Sequence, residues 1–162
     1  MKRPVKAVGL VSGGLDSALA AKLVADLGVE VHAVYCALPW GCGHLELARQ
    51  SAQGLGIPFQ VIHFSEDYLR MLANPRHGYG ASFNPCIDCH MYMINKAARY
   101  LEEIGGDFVF TGEVIGQRPM SQRGDCLRLI ERGTSLQGRI LRPLSAQLDR
   151  KSTRLNSSHV SQ

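Results

Sequence analysis

No stretch of this 162-residue chain is apolar for long enough to cross a bilayer. No apolar segment with a small-residue cleavage site follows the charged opening Met1-Lys2-Arg3-Pro4-Val5-Lys6. A cytoplasmic protein without a membrane partner is therefore expected. Two common phosphate-binding patterns are missing as well. The glycines near the start are not followed by Gly-Lys-Ser/Thr, which excludes a Walker A loop, and they do not form Gly-x-Gly-x-x-Gly. There is no internal repeat and no four-cysteine cluster late in the chain. Five cysteines are present, and in a reducing compartment they argue for thiol or metal chemistry rather than a disulfide framework. Acidic residues are scarce between positions 118 and 142, where six arginines face only Asp125 and Glu131. That stretch supplies the net charge of +4 and suits a polyanion such as RNA.

What is present alternates. Strands are expected at residues 5–11, 29–35, 59–64 and 107–111, with a fifth beginning at Ile140-Leu141. Helices are expected at 18–27, 45–55, 66–73, 87–104 and 127–132. Such alternation predicts an α/β fold, a parallel sheet with helices on both faces, whose ligands bind beyond the C-terminal ends of the strands. Residues 1–148 read as one domain. From residue 149 the chain is serine-rich without an apolar period and is expected to be a disordered, non-native tail, leaving the domain C-terminally truncated.

Two clusters carry chemistry. Ser12-Gly13-Gly14-Leu15-Asp16-Ser17 lies between the first strand and the first helix. A tight glycine turn followed by a helix N-terminus offers free N–H groups and a favourable dipole to an anion, and phosphate is the expected guest. Asn84-Pro85-Cys86-Ile87-Asp88-Cys89-His90 puts two sulfurs on one turn at a helix start, where a lowered thiol pKa is expected. This second cluster fits c-type haem attachment, a thioredoxin-like pair, a zinc site completed by His77, His90 or Cys42, or sulfur transfer through a persulfide or an iron–sulfur cluster. Cys36 is expected to be buried in its strand and Cys126 to be incidental.

The first cluster resembles the SGGxDS pyrophosphate loop of the ATP pyrophosphatase superfamily. Together with Asn-Pro-x-x-x-Cys it resembles the tRNA thiouridine synthases, in particular the tRNA 2-thiouridylases. Cys89 matches their catalytic cysteine, Cys86 stands where they have aspartate and His90 where they have asparagine. Thr111-Gly112-Glu113 is similar to their Thr-Gly-His turn, and residues 112–122 and 141–145 carry phrases of a shorter thiouridine-synthase-like group. The third downstream cysteine and the RNA-binding appendage common among those relatives are not found.

The resemblance implies a Rossmann-like, adenine nucleotide alpha hydrolase-like domain. It implies ATP and Mg²⁺ at Ser12, Gly13, Gly14, Asp16, Ser17 and Gly112, and an enzyme that adenylates a uridine carbonyl of tRNA and replaces its oxygen with sulfur. Cys89, Cys86 and Asp16 would be catalytic, and Gln117 and Arg118 would contact substrate. Where relatives use iron, Cys86, Cys89 and Cys42 are the candidate ligands of a [4Fe–4S] cluster. The sulfur donor would be a cysteine desulfurase, a sulfur carrier or free sulfide. Two other readings are an amidating ligase similar to 7-cyano-7-deazaguanine synthase and a nucleotide-binding module without chemistry.

Overall fold

The computed structural model describes residues 3–39, 44–80, 85–117 and 122–146. The elements follow in the order β1 (Lys6–Leu10), α1 (Leu15–Asp26), β2 (Glu30–Ala37), α2 (Leu45–Gly54), β3 (Phe59–His63), α3 (Glu66–Ala73), α4 (Cys86–Glu103), β4 (Phe108–Thr111), α5 (Gly124–Arg132) and β5 (Ile140–Leu141). A 3₁₀ turn at Pro143–Ser145 comes last. The strands form one five-stranded sheet in the order β3-β2-β1-β4-β5, and every pairing is parallel. The fold is thus α/β and Rossmann-like. Among the described residues no helix is long and apolar enough to cross a membrane.

Side-chain alternation sorts the core into two layers. Ala7 of β1, Val31 of β2 and Phe110 of β4 point to one face, where Ala20, Ala21 and Val24 of α1 cover them. Ala33 and Tyr35 meet Ala48 and Ala52 of α2 on the same side. Val8, Val34, Val109 and Ile140 point to the other face, against Met91, Ile94, Ala98 and Leu101 of α4 and Ile130 of α5. The small residues of α1 and α2 let those helices sit close to the sheet, while the larger side chains of α4 fill the opposite layer.

Three boundaries differ from expectation by two residues or more. Helix α1 starts at Leu15 rather than residue 18, so Asp16 and Ser17 belong to its first turn. Helix α5 starts at Gly124 rather than 127. Strand β2 runs on to Ala37 because Cys36 and Ala37 pair with Ile62 and His63 of β3. Arg142 is only 2% exposed, so it does not belong to the basic surface expected between 118 and 142. Arg118 and the tail from 149 lie outside the described residues.

The end of β4 presses on the start of α1. A Cβ at Gly112 would lie 2.7 Å from the Cα and N of Ser17 and 2.8 Å from the carbonyl carbon of Asp16. All three are backbone atoms that cannot swing away. Gly112→Ala is expected to destabilise the protein by about 1–3 kcal/mol through overpacking. At roughly 2–4 °C per kcal/mol for a chain of this size, a calorimetric melt reads the loss directly.

Candidate active site

The β1–α1 turn holds its shape with its own hydroxyls. Ser17 Oγ accepts from the Ser12 N–H at 3.1 Å and donates to the Gly14 carbonyl at 2.9 Å. Ser12 Oγ lies 3.3 Å from Ser17 Oγ and accepts from the Gly14 N–H at 3.3 Å. Gly13 takes φ +82°, and a Cβ there would lie 2.5 Å from the His44 carbonyl oxygen, so glycine is required by conformation and by space. Gly14 occupies the N-cap, and no side chain caps α1. The first intrahelical bond runs from the Ala18 N–H to the Gly14 carbonyl, which leaves the amides of Leu15, Asp16 and Ser17 at the mouth of the helix.

That mouth opens on a cavity of about 550 Å³. Ser12, Gly14, Asp16 and Ser17 form one wall, Tyr35, Cys36 and Leu38 at the end of β2 another, and Thr111, Gly112, Glu113, Gln117 and Gln122 beyond β4 a third. Cys89, His90, Met93 and Ile94 of α4 close it. The structure therefore brings Cys89 to the glycine turn, although 72 positions or more separate them in the chain. Gly13 is not among the wall residues. Cys86, one turn before Cys89, is half-buried and is not among the described wall residues. Cys36 lies in β2 as expected, but it is half-buried on the cavity wall rather than fully buried.

Cys89 is not the activated thiolate expected at a helix start. Burial pushes its thiol above the ordinary range, and the neighbouring Cys86 adds to this. The Tyr68 hydroxyl, 3.3 Å from Cys89 Sγ, pulls the other way without offsetting burial. Tyr68 is held from α3 by an aromatic cluster, with ring centroids 4.6 Å from Phe64 and 5.1 Å from Tyr92. Asp88, between the two cysteines, is structural. Its Oδ2 accepts the His77 N–H at 2.9 Å and its Oδ1 lies 2.9 Å from His77 Nδ1, which pins the segment before α4 to its first turn.

Glu113 brings a buried carboxylate to the end of β4. Its Oε2 accepts from Thr111 Oγ1 at 2.8 Å and from Arg142 Nε at 3.3 Å, while Oε1 lies 3.0 Å from His90 Nδ1. Burial alone would raise its pKa, but His90, Arg142 and Thr111 together hold it below the usual carboxylate range. Arg142 also reaches Glu131, 3.9 Å from its Nη1. The Ser145 hydroxyl accepts from the Ile115 N–H at 2.9 Å and donates to the Glu113 carbonyl at 3.1 Å, so the chain after β5 fastens the loop after β4.

The uncapped helix mouth and Asp16 fit a nucleotide triphosphate and its Mg²⁺. A cluster finds Cys86 and Cys89, but Cys42 lies outside the described residues, and no set of three ligating side chains is arranged for a metal among the described ones. Glu113, Gln122 and Arg142 fall within the family-like phrases at 111–113, 112–122 and 141–145, without a sign of their individual roles, and Tyr68 carries no signal in the sequence.

Two measurements test this chemistry. Alkylation of Cys89 by iodoacetamide should rise with pH through a midpoint above that of the same cysteine in the unfolded chain, since burial favours the neutral thiol. Tyr68→Phe removes the bond that lowers the pKa and should move that midpoint further up, read by mass spectrometry of the Cys89 peptide.

Comparison with known proteins agrees with the geometry. A family model described as ThiI, thiamine biosynthesis protein, matches residues 4–154. The tRNA-specific 2-thiouridylase MnmA of Tropheryma whipplei (strain Twist) is 33% identical over 121 residues, covering 67% of this chain and 34% of the relative. That of Cutibacterium acnes (strain DSM 16379 / KPA171202) is 35% identical over 127 residues, with coverage of 67% and 34%. The chain thus spans about a third of the length of these curated relatives. A 4-thiouridine synthetase solved with RNA and bound ATP superposes with a TM-score of 0.70 at 27% identity, over 97% of this chain and 41% of that one. An NH3-dependent NAD synthetase from Campylobacter jejuni shares the fold alone, at 16% identity and a TM-score of 0.57 over 73% of this chain and 53% of that one. With its SGGLDS turn, its parallel sheet and its Cys89 on one cavity, the chain belongs to the ThiI family, in the group of tRNA thiouridine synthases with an SGGxDS loop.

Proposed function

We propose that this protein is an ATP-dependent tRNA sulfurtransferase whose cavity carries out both activation and sulfur delivery. One observation carries the reading: Cys89 and the uncapped N-terminus of α1 open on the same space. The amides at residues 15–17 would receive the β and γ phosphates, and the half-apolar wall of Tyr35 and Leu38 would take the adenine. A uridine carbonyl oxygen attacks the α-phosphate and pyrophosphate leaves. Each amide aimed at the leaving group is worth about 3 kcal/mol of barrier when well placed. Asp16 is the side chain that would hold Mg²⁺, which neutralises phosphate charge when bound.

Adenylation turns a poor leaving group into AMP. Sulfur then reaches the activated carbon as the outer sulfur of a persulfide on Cys89, and AMP departs. Cys86, one turn away, attacks Cys89 to close the disulfide that frees the product sulfur, and an external thiol reopens it. Burial raises the pKa of the Cys89 thiol, so its loading by a donor requires loss of the thiol proton first.

The test uses the purified chain with ATP, tRNA transcript and a persulfide donor. Sulfur incorporation is read by thiouridine analysis of digested RNA, and activation by ATP–pyrophosphate exchange with tRNA present. Cys89→Ala should abolish incorporation while exchange persists. Asp16→Asn should depress exchange by a factor of ten or more, about 1.4 kcal/mol. Thiouridine formed by Cys89→Ala would remove the cysteine from the proposal.

A further inference from the structure

On α1, α2 and α3 every exposed cation sits against a carboxylate: Lys22 meets Asp26, Arg49 meets Glu46 and Arg70 meets Glu66. Such pairs largely cancel the field of the surface they stand on. The chain from Arg123 to Arg142 breaks this pattern. Its sequence holds two acidic residues, Asp125 and Glu131, and both are engaged. Asp125 lies 3.1 Å from Arg123, and the buried Glu131 turns inward to Arg142 and accepts the Gly138 N–H at 3.1 Å. Arg128, Arg132 and Arg139 are exposed, and no carboxylate pairs with them among the described residues.

Their placement follows from the helix. Leu127, Ile130 and Glu131 are the buried positions of α5, so Arg128 and Arg132, one turn apart, share its outer face. Helix α5 starts near the cavity, because the Gln122 carbonyl just before it accepts the Gly116 N–H in the loop that leaves β4. Arg128 Nη1 folds back toward that end, 3.4 Å from where a Cβ on Gly124 would stand. Arg139 lies beyond the other end, its carbonyl accepting the Val109 N–H at 3.0 Å at the entry to β5. The three cations therefore descend the flank of the sheet from the cavity rim, along a helix roughly 13 Å long. A row of unopposed cations suits a polymer of phosphates, and this row begins at the edge where a base would enter.

We infer that Arg128, Arg132 and Arg139 form a track for the sugar-phosphate backbone of the RNA whose base enters the cavity. This rests on the sulfurtransferase reading and adds to it the surface that holds the substrate. Contacts to phosphate fix position and carry no base preference. Guanidinium groups suit the task, since each offers a planar fork of donors and keeps its charge at every working pH.

The test follows binding of a labelled tRNA transcript by fluorescence anisotropy between about 50 and 200 mM salt. Arg128→Gln, Arg132→Gln and Arg139→Gln combined should weaken binding about tenfold or more, and should lower the slope of log K against log salt by about 2 to 3, since each lost phosphate contact removes about 0.7 to 0.9. Lysine at the same three positions should keep the wild-type slope, because the charges remain. Arg99→Gln, an exposed arginine of α4, should leave the slope unchanged. All variants should keep the wild-type melting temperature and affinity for a non-hydrolysable ATP analogue. A triple glutamine variant with the wild-type slope overturns the track. So does an equal loss of slope in Arg99→Gln, which would make the attraction general, or a fall in melting temperature or ATP-analogue affinity, which would make the arginines structural. In each of these cases thiouridine formed by the wild-type chain leaves the sulfurtransferase reading standing. A wild type that binds the ATP analogue but neither binds tRNA nor thiolates it overturns both.

Discussion

The site depends on one close approach, that of Gly112 to the backbone of Asp16 and Ser17. Strand β4 pairs with β1 in parallel register, Leu10 opposite Thr111, so the two strands end side by side. The chains leaving them must then diverge within a residue or two. A side chain at 112 would force them apart and widen the gap between the β1–α1 glycine turn and the Glu113 carboxylate. With glycine there the gap closes, and the amides of α1, the hydroxyl of Thr111 and the carboxylate of Glu113 converge on a single cavity. A small contact between two main chains sets the distance scale for everything polar around it.

Around that contact the two faces of the sheet divide the labour. The small alanines of α1 bring its axis close to the sheet and aim its N-terminus over the strand ends. On the opposite face the bulkier α4 rests on Val8 and Val109, which raises Cys89 to the same rim. The glycine turn and Cys89 come from opposite layers and meet only at the edge they share. The aromatic cluster of Phe64, Tyr68 and Tyr92 belongs to neither layer but gives Cys89 its hydroxyl neighbour.

Much of this was legible in the sequence because it is local. Strand, glycine turn and helix follow one another within residues 6–26, and two cysteines three apart share a helical turn wherever they lie. Apolar runs also revealed the strands, most clearly β1 and β4, which are buried on both faces, whereas the edge strand β3 leaves Gln60 and His63 exposed. The rest was hidden for a physical reason. Glu113 and Arg142 are 29 positions apart, and nothing in their neighbourhoods announces that their charges cancel in the interior. Tyr68 and Cys89 meet across two helices. The direction of the Cys89 pKa depended on burial, a property of packing that a helix-start pattern does not contain. Helix α1 began three residues early because its cap is a backbone glycine, and a cap without a side chain leaves no mark in composition.

The buried pairing of Glu113 with Arg142 has a consequence for how the chain is made. Synthesis is vectorial, and the carboxylate leaves the ribosome well before its cation. Until Arg142 emerges, the loop after β4 carries a charge that cannot be desolvated without a partner. The Ser145 hydroxyl that fastens the same loop arrives later still. Strands β1 to β4 can assemble during translation, but the cavity edge at Glu113 waits for β5 and the Arg142 that follows it.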